Sequence, residues 1–278
     1  MQKILLITGS TDGIGLETAK MLLEKGHRVL LHGRSAEKLE AVSTMLAPLA
    51  GAEQIETYVA DLSRLEDVDA LVRAVSEKHD ALDVLINNAG VLKAAESVTP
   101  DGLDVRFMVN TIAPYRLTRE LLPLIGSRGR VINLSSAAQA RVDTEALAGR
   151  VRLDAMEAYS QSKLAITMWS RELAKEAGSP MVVAVNPGSL LGSKMVKEGF
   201  GVAGGDIGIG ADILCRAALD DEFAAASGQY FDNDSGRFAD PHGDALDAGK
   251  AADVVRAIEK VIATQGHEMN SASPGAFN

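Results

Sequence analysis

The chain has 278 residues, 46% hydrophobic and 24% charged, with 28 Lys and Arg against 38 Asp and Glu for a formal net charge of −10. These fractions are ordinary for a folded globular chain and exclude collagen, coiled-coil and disordered classes. The acidic balance argues against nucleic acid as a partner, because neutralising phosphates takes clustered Lys and Arg; it reads as solubility.

The opening stretch, Met1 to Ile7, is too short for a signal peptide, and Thr8 and Gly9 follow at once; the first aliphatic run spans 3–8. Further aliphatic or β-branched runs lie at 28–32, 56–60, 83–87, 130–134, 181–185 and 228–231. Segments of helical period fall between them, near 14–25, 36–47, 64–79, 103–126, 157–177 and 209–220, with a last one near 250–263. Most of the runs are apolar at consecutive positions, the pattern of parallel strands covered on both faces. The alternation predicts a single Rossmann-type, doubly wound α/β fold, with a parallel sheet of about seven strands and helices on both faces. No linker divides the chain, so one domain is expected over 1–265, with 199–210 and 232–248 as loops and 266–278 as a loose tail. Cys215 is the single cysteine. It falls in a helical-looking stretch, where a buried structural thiol is expected. No run approaches the roughly 20 residues of a membrane span, so the reading is a cytoplasmic protein.

Directly after the first run comes Thr8-Gly9-Ser10-Thr11-Asp12-Gly13-Ile14-Gly15, and then an amphipathic helix. Glycines at 9, 13 and 15 allow a tight turn and close approach of backbone to a pyrophosphate. The helix N-terminus adds free N–H groups and a positive dipole end. The G-x-x-x-G-x-G spacing differs from the generic dinucleotide fingerprint, but its place between first strand and first helix is where such folds bind dinucleotides. The second run ends in Gly33-Arg34-Ser35. An NAD-preferring fold usually has an acid where Gly33 stands, whereas an arginine and a hydroxyl suit a 2′-phosphate, so NADP is favoured over NAD. The alternative is that Arg34 only decorates a loop.

Tyr159-Ser160-Gln161-Ser162-Lys163 sits in a helical segment. Spacing i,i+4 puts tyrosine and lysine on one face, where the lysine cation would lower a phenol pKa from its reference of about 10 by about two or three units. A carbonyl accepting hydride needs such a proton donor beside its oxygen. The run at 130–134 delivers Ser135 and Ser136 at its carboxyl end, where open α/β sheets bind ligands.

With these residues in place the chain resembles the short-chain dehydrogenase/reductase family, through about residue 231. The resemblance rests on six elements in order: Thr8-Gly9-x-x-x-Gly13-x-Gly15; Asp61-Leu62; Asn87-Asn88-Ala89-Gly90; Asn110; Ser136 with Tyr159 and Lys163; and Asn186-Pro187-Gly188. It implies that Gly9, Ser10, Thr11, Gly13, Ile14, Gly15, Arg34, Ser35, Asp61, Leu62, Asn88, Ala89, Gly90, Pro187 and Gly188 line the cofactor. Asp61 would bind the adenine amino group, with a helix cap as its other reading. Asn110 would hold a helix distortion and the water linking Lys163 to solvent. Ser136, the second of its pair, would orient the substrate oxygen. Tyr159 would exchange the proton, and Lys163 would bind the nicotinamide ribose. The same resemblance implies a homodimer or homotetramer through the helices near 103–126 and 157–177.

Two departures stand out. Twenty-two residues separate Ser136 from Tyr159. The extra piece at 141–154 resembles the insert of retinol-dehydrogenase-like and protochlorophyllide-reductase-like members; it is expected over the pocket entrance, contributing to substrate choice, or else as a solvent-exposed excursion without function, and hindrance of assembly is a further reading. The hydroxyl that usually follows Pro-Gly to hold the carboxamide comes one position late, as Ser193. The leading reading is an NADP(H)-dependent enzyme moving hydride between nicotinamide and a carbonyl or alcohol. Alternatives are isomerisation or conjugated-double-bond reduction on the same fold, or an NADP(H)-binding sensor without turnover. A substrate wall from the insert and 190–210, with Met195 and Phe200, suggests a hydrophobic small molecule, although such residues also serve as packing.

Overall fold

The computed structural model describes residues 1–271. Strand β1 (Ile4–Ile7) leads through helix α1 (Gly13–Glu24) to β2 (Arg28–Gly33), then α2 (Ala36–Leu46), β3 (Ile55–Val59), α3 (Leu65–Lys78) and β4 (Val84–Asn87). The second half runs through α4 (Val105–Phe107), a π-helical turn (Met108–Ile112), α5 (Ala113–Ile125), β5 (Arg130–Leu134), α6 (Thr144–Leu147), α7 (Ala155–Leu173) and β6 (Met181–Asn186). It closes with α8 (Lys194–Phe200), α9 (Gly208–Leu219), β7 (Tyr230–Asp232), β8 (Arg237–Ala239) and α10 (Ala248–Ser271).

The sheet order is β3-β2-β1-β4-β5-β6-β7-β8, parallel from β3 to β7. The eighth strand pairs antiparallel with β7 inside the stretch expected as a loop. At three residues, with Arg237 exposed at the sheet edge, it has too little apolar character to announce itself. Successive strand residues face opposite layers. Leu6, Leu30, Leu85, Val131 and Val182 pack under α3, α5, α7 and α10, while Leu5, Ile7, Leu31, Ile86 and Val183 pack under α1, α2 and α9. Cys215 is buried in the second layer, and burial pushes its thiol up to about 12, the state of an inert structural cysteine.

The stretch 141–154 does not simply hang over the cleft. Asp143 caps α6, Ala146 and Leu147 are buried in the core, and α6 packs against α10. The backbone N–H of Asp143 donates to the buried Gln161 side chain of α7 at 2.8 Å, so the insert seats α10 beside α7. Helix α10 continues to Ser271, past the expected domain end at 265, and 272–278 of the expected tail lie outside the described residues. Among the described residues no helix is long and apolar enough to cross a membrane.

Candidate active site

Every residue singled out for chemistry lies at or beyond the carboxyl ends of the parallel strands, where backbone leaves the sheet and polar side chains gain room. The glycine turn after β1 is stitched to the end of β4. Thr8 Oγ1 accepts the N–H groups of Asn88 and Ala89, both at 3.0 Å, and Asn88 Nδ2 donates to the carbonyls of Thr8 and Gly9 at 2.8 and 3.0 Å. Gly9 has φ +65, and a Cβ there would lie 2.9 Å from the Ala89 Cα, so conformation and space both require glycine. The Asp12 carboxylate caps α1 by accepting the Gly13 N–H at 2.7 Å. The Leu16 N–H turns to the Asp12 carbonyl, leaving the first-turn N–H groups of Ile14 and Gly15 for an incoming acceptor.

On the neighbouring wall, Arg34 is exposed and in no ion pair among the described residues. The Ser35 hydroxyl is engaged as the N-cap of α2, accepting the Lys38 N–H at 3.3 Å. Gly33 is packed under Thr11: a Cβ on it would come 2.6 Å from Thr11 Cγ2. Asp61 Oδ1 accepts the Ser63 N–H at 2.9 Å, and Asp67 of α3 reaches back to the Asp61 N–H, so the carboxylate shapes the turn into α3 beside buried Leu62.

The two serines diverge. Ser135 is buried and turns inward, donating to the Lys163 carbonyl at 3.0 Å and sharing a 2.7 Å hydrogen bond with Thr167 Oγ1. Ser136 Oγ accepts the Ala138 N–H at 3.1 Å and lies on the Tyr159 phenol side of the cleft, where its hydroxyl favours the phenolate. Lys163 Nζ donates to the carbonyl of Leu134, the last residue of β5, at 2.8 Å, and sits 5.7 Å from the Tyr159 ring centroid. Asn110, fully buried in the π-helical turn, spends its amide on the neighbouring loop. Its Oδ1 accepts the Val91 N–H at 2.8 Å, and its Nδ2 donates to the Val91 carbonyl and to Ser162 Oγ, both at 3.0 Å. Gly90 is thereby held between Asn110 Oδ1 and Lys163 Nζ.

The electrostatics differ from the sequence expectation. Burial pushes the Tyr159 phenol above its ordinary value, offset in part by the Ser136 hydroxyl, and the same burial brings the Lys163 ammonium down to about 8. Desolvation thus acts on both groups in the sense opposite to the lowered phenol that spacing alone suggests.

Around the mouth, Gly188 takes φ +123, and Asp234 of the β7–β8 turn accepts the Ser189 N–H at 2.7 Å and an Asn186 Nδ2–H at 2.9 Å. Ser193 caps α8 through the Val196 N–H and lies beside Gly13 across the cleft. Met195 reaches toward Gly90, whereas the side chain of Phe200 lies outside the described residues. Several contacts escaped sequence reasoning. The Tyr230 hydroxyl and Gln139 Nε2 both donate to the Ser136 carbonyl, at 3.1 and 2.9 Å, fixing the serine that faces Tyr159. A tyrosine in an apolar run gives no sign of this. His32, a buried polar residue at the end of the second run whose ring accepts the Gly9 N–H at 3.1 Å, also went unread.

The short chain dehydrogenase family model matches residues 3–200, and the chain belongs to that family. It is 31% identical to retinol dehydrogenase 13 of Homo sapiens over 251 residues, covering 83% of this chain and 76% of that one. It is 35% identical to retinol dehydrogenase 11 of Homo sapiens over 194 residues, 68% of this chain and 61% of that relative, so it spans under two thirds of the latter's length. Among solved structures it resembles the Pseudomonas aeruginosa RhlG/NADP active-site complex, with TM-score 0.68 and 28% identity over 84% of this chain and 95% of that one.

Proposed function

We propose that the protein is an NADP(H)-dependent carbonyl reductase or alcohol dehydrogenase acting on a hydrophobic small molecule. The observation that carries this reading is the convergence of the Ser136 hydroxyl, the Tyr159 phenol and the Lys163 ammonium at the end of β5, beside the glycine turn. The residues present fit a phosphorylated dinucleotide. The Ile14 and Gly15 N–H groups would hold a pyrophosphate at the α1 N-terminus. Arg34, in no ion pair among the described residues, would take the 2′-phosphate with help from the Ser35 O–H, and Asp61 and Leu62 would border the adenine. The crowding at Gly33, where a Cβ would lie 2.6 Å from Thr11 Cγ2, disfavours the acid that an NAD site would place there and supports the same choice. NADP stands in the solved complex of the RhlG relative, in keeping with this choice.

When bound, the nicotinamide supplies or accepts the hydride. Ser136 donates a hydrogen bond to the substrate oxygen, and Tyr159 gives up its phenolic proton to that oxygen as charge develops there. Lys163 holds the ribose and stabilises the phenolate that results. Burial favours the protonated phenol, the form that donates in reduction, whereas oxidation needs the phenolate. Half-exposed Leu190 and Ile209, at 49% and 51% exposure, and Val202 supply an apolar mouth to the cleft.

Cofactor fluorescence titration, followed by NADPH oxidation with a panel of ketones, aldehydes and quinones, tests the reading. Turnover that disappears in Tyr159→Phe with binding retained supports it. Arg34→Ala is expected to weaken NADPH far more than NADH, and equal weakening of both would overturn the cofactor assignment. Binding without turnover across the panel would favour a sensor instead.

A further inference from the structure

We propose that His32 is a positioning residue that fixes the width of the adenosine end of the cofactor cleft, acting as a strut across three strand ends. This rests on the reading of the cleft as a dinucleotide site. Strand β2 lies between β3 and β1 in the sheet, and His32 is its penultimate residue, 3% exposed and following the aliphatic Val29-Leu30-Leu31. On one side Nδ1 lies 3.1 Å from the Gly9 N, in the turn after β1; on the other, Nε2 lies 3.1 Å from the Ala60 carbonyl, just after β3. A backbone N–H can only donate, so Nδ1 must be the unprotonated nitrogen and Nε2 must carry the proton given to Ala60. One tautomer of the neutral ring satisfies both, and burial keeps the imidazole neutral by bringing its pKa down to about 4.

The backbone of the same residue completes the strut. The Ser10 N–H donates to the His32 carbonyl at 2.9 Å, and the His32 N–H donates to Ser10 Oγ at 2.9 Å. The three segments so joined are those assigned to the cofactor: the turn Gly9–Thr11, the wall Gly33–Ser35 and the wall Asp61–Leu62. An aliphatic residue at position 32 would fill the space but leave the Gly9 N–H and the Ala60 carbonyl without that partner. The spacing of the two walls would then be held by the strand ladder and the Ser10 bonds to the backbone of position 32, without the side-chain bridge to Ala60. The strut touches no reacting atom, so its effect belongs in cofactor affinity and not in the hydride step.

The test uses the full chain with His32→Leu, His32→Asn and His32→Gln, each titrated with NADPH by fluorescence and melted in parallel. Asn keeps an acceptor at the Nδ1 position and Gln keeps a donor at the Nε2 position. Loss of the strut is expected to raise the NADPH Kd about tenfold in His32→Leu, with Asn and Gln each recovering part of the loss. Nitrogen NMR of labelled histidine is expected to show the neutral Nε2–H tautomer at pH 7. A purely structural role would lower the melting temperature while the folded protein bound NADPH with unchanged Kd, and that result would overturn the proposal. If His32→Leu does not fold, the Asn and Gln variants carry the same comparison, and unchanged Kd in both would overturn it. Wild-type protein that binds neither NADPH nor NADH would instead remove the dinucleotide reading beneath it.

Discussion

Replacing Gly9 by alanine isolates the contact between the glycine turn and the end of β4. Two costs arise. A left-handed conformation costs an L-residue about 1–2 kcal/mol, and φ at Gly9 is +65. The new Cβ would also lie 2.9, 3.1 and 3.3 Å from the Cα, Cβ and N of Ala89, whose N–H is tied to Thr8 Oγ1. Relieving that overlap moves backbone, at a further cost of about 1–3 kcal/mol. The control is Gly26→Ala, where φ is +83 but nothing lies within 4 Å, so only the conformational cost applies. Gly9→Ala is therefore expected to lose about 2–5 kcal/mol and Gly26→Ala about 1–2 kcal/mol, measured side by side by urea unfolding. NADPH affinity should fall in the first and hold in the second. Losses equal to within about 0.5 kcal/mol would refute the close-approach argument.

Two further outcomes follow from the site. With Lys163 at about 8, the ammonium is present below that pH and lost above it, so reductive kcat/KM should hold through neutral pH and decline above a break near 8; a profile level to about pH 10 would count against the charge of Lys163. Ser136→Ala should lower kcat roughly 100-fold with little change in melting temperature. Ser135→Ala should keep kcat and lose about 1–3 kcal/mol of stability, since its inward hydrogen bonds go unmade; exchanged effects in the two variants would mean that the wrong serine has been assigned.

The parallel strands were legible because burial on both faces forces consecutive apolar residues, as in Val182-Val183-Ala184-Val185, all fully buried. The glycine turn and Tyr159–Lys163 were legible because each needs specific residue types at fixed spacing. Strand β8 and the short α6 and α8 were not, since elements of three to seven residues owe their existence to what they pack on and not to their own periodicity. The opposed shifts of Tyr159 and Lys163 were hidden for a related reason: spacing brings charges together, but only the fold determines how far both are removed from water. The eventual partners of His32, Gly9 and Ala60, lie 23 and 28 positions away in the chain, and no local pattern names them.

The resemblance led us to expect a second subunit against the helix that carries Tyr159. In this chain α10 lies along α7, Tyr115 of α5 bonds Glu259 of α10 at 2.8 Å, and Arg171 of α7 reaches the Ala245 carbonyl ahead of α10. A face covered by a neighbouring molecule is exposed again on dilution, as mass action demands, whereas a face covered by the chain's own helix is protected at any concentration. The helix that carries Tyr159 is thus supported on its outer side without reference to how much of the protein is present.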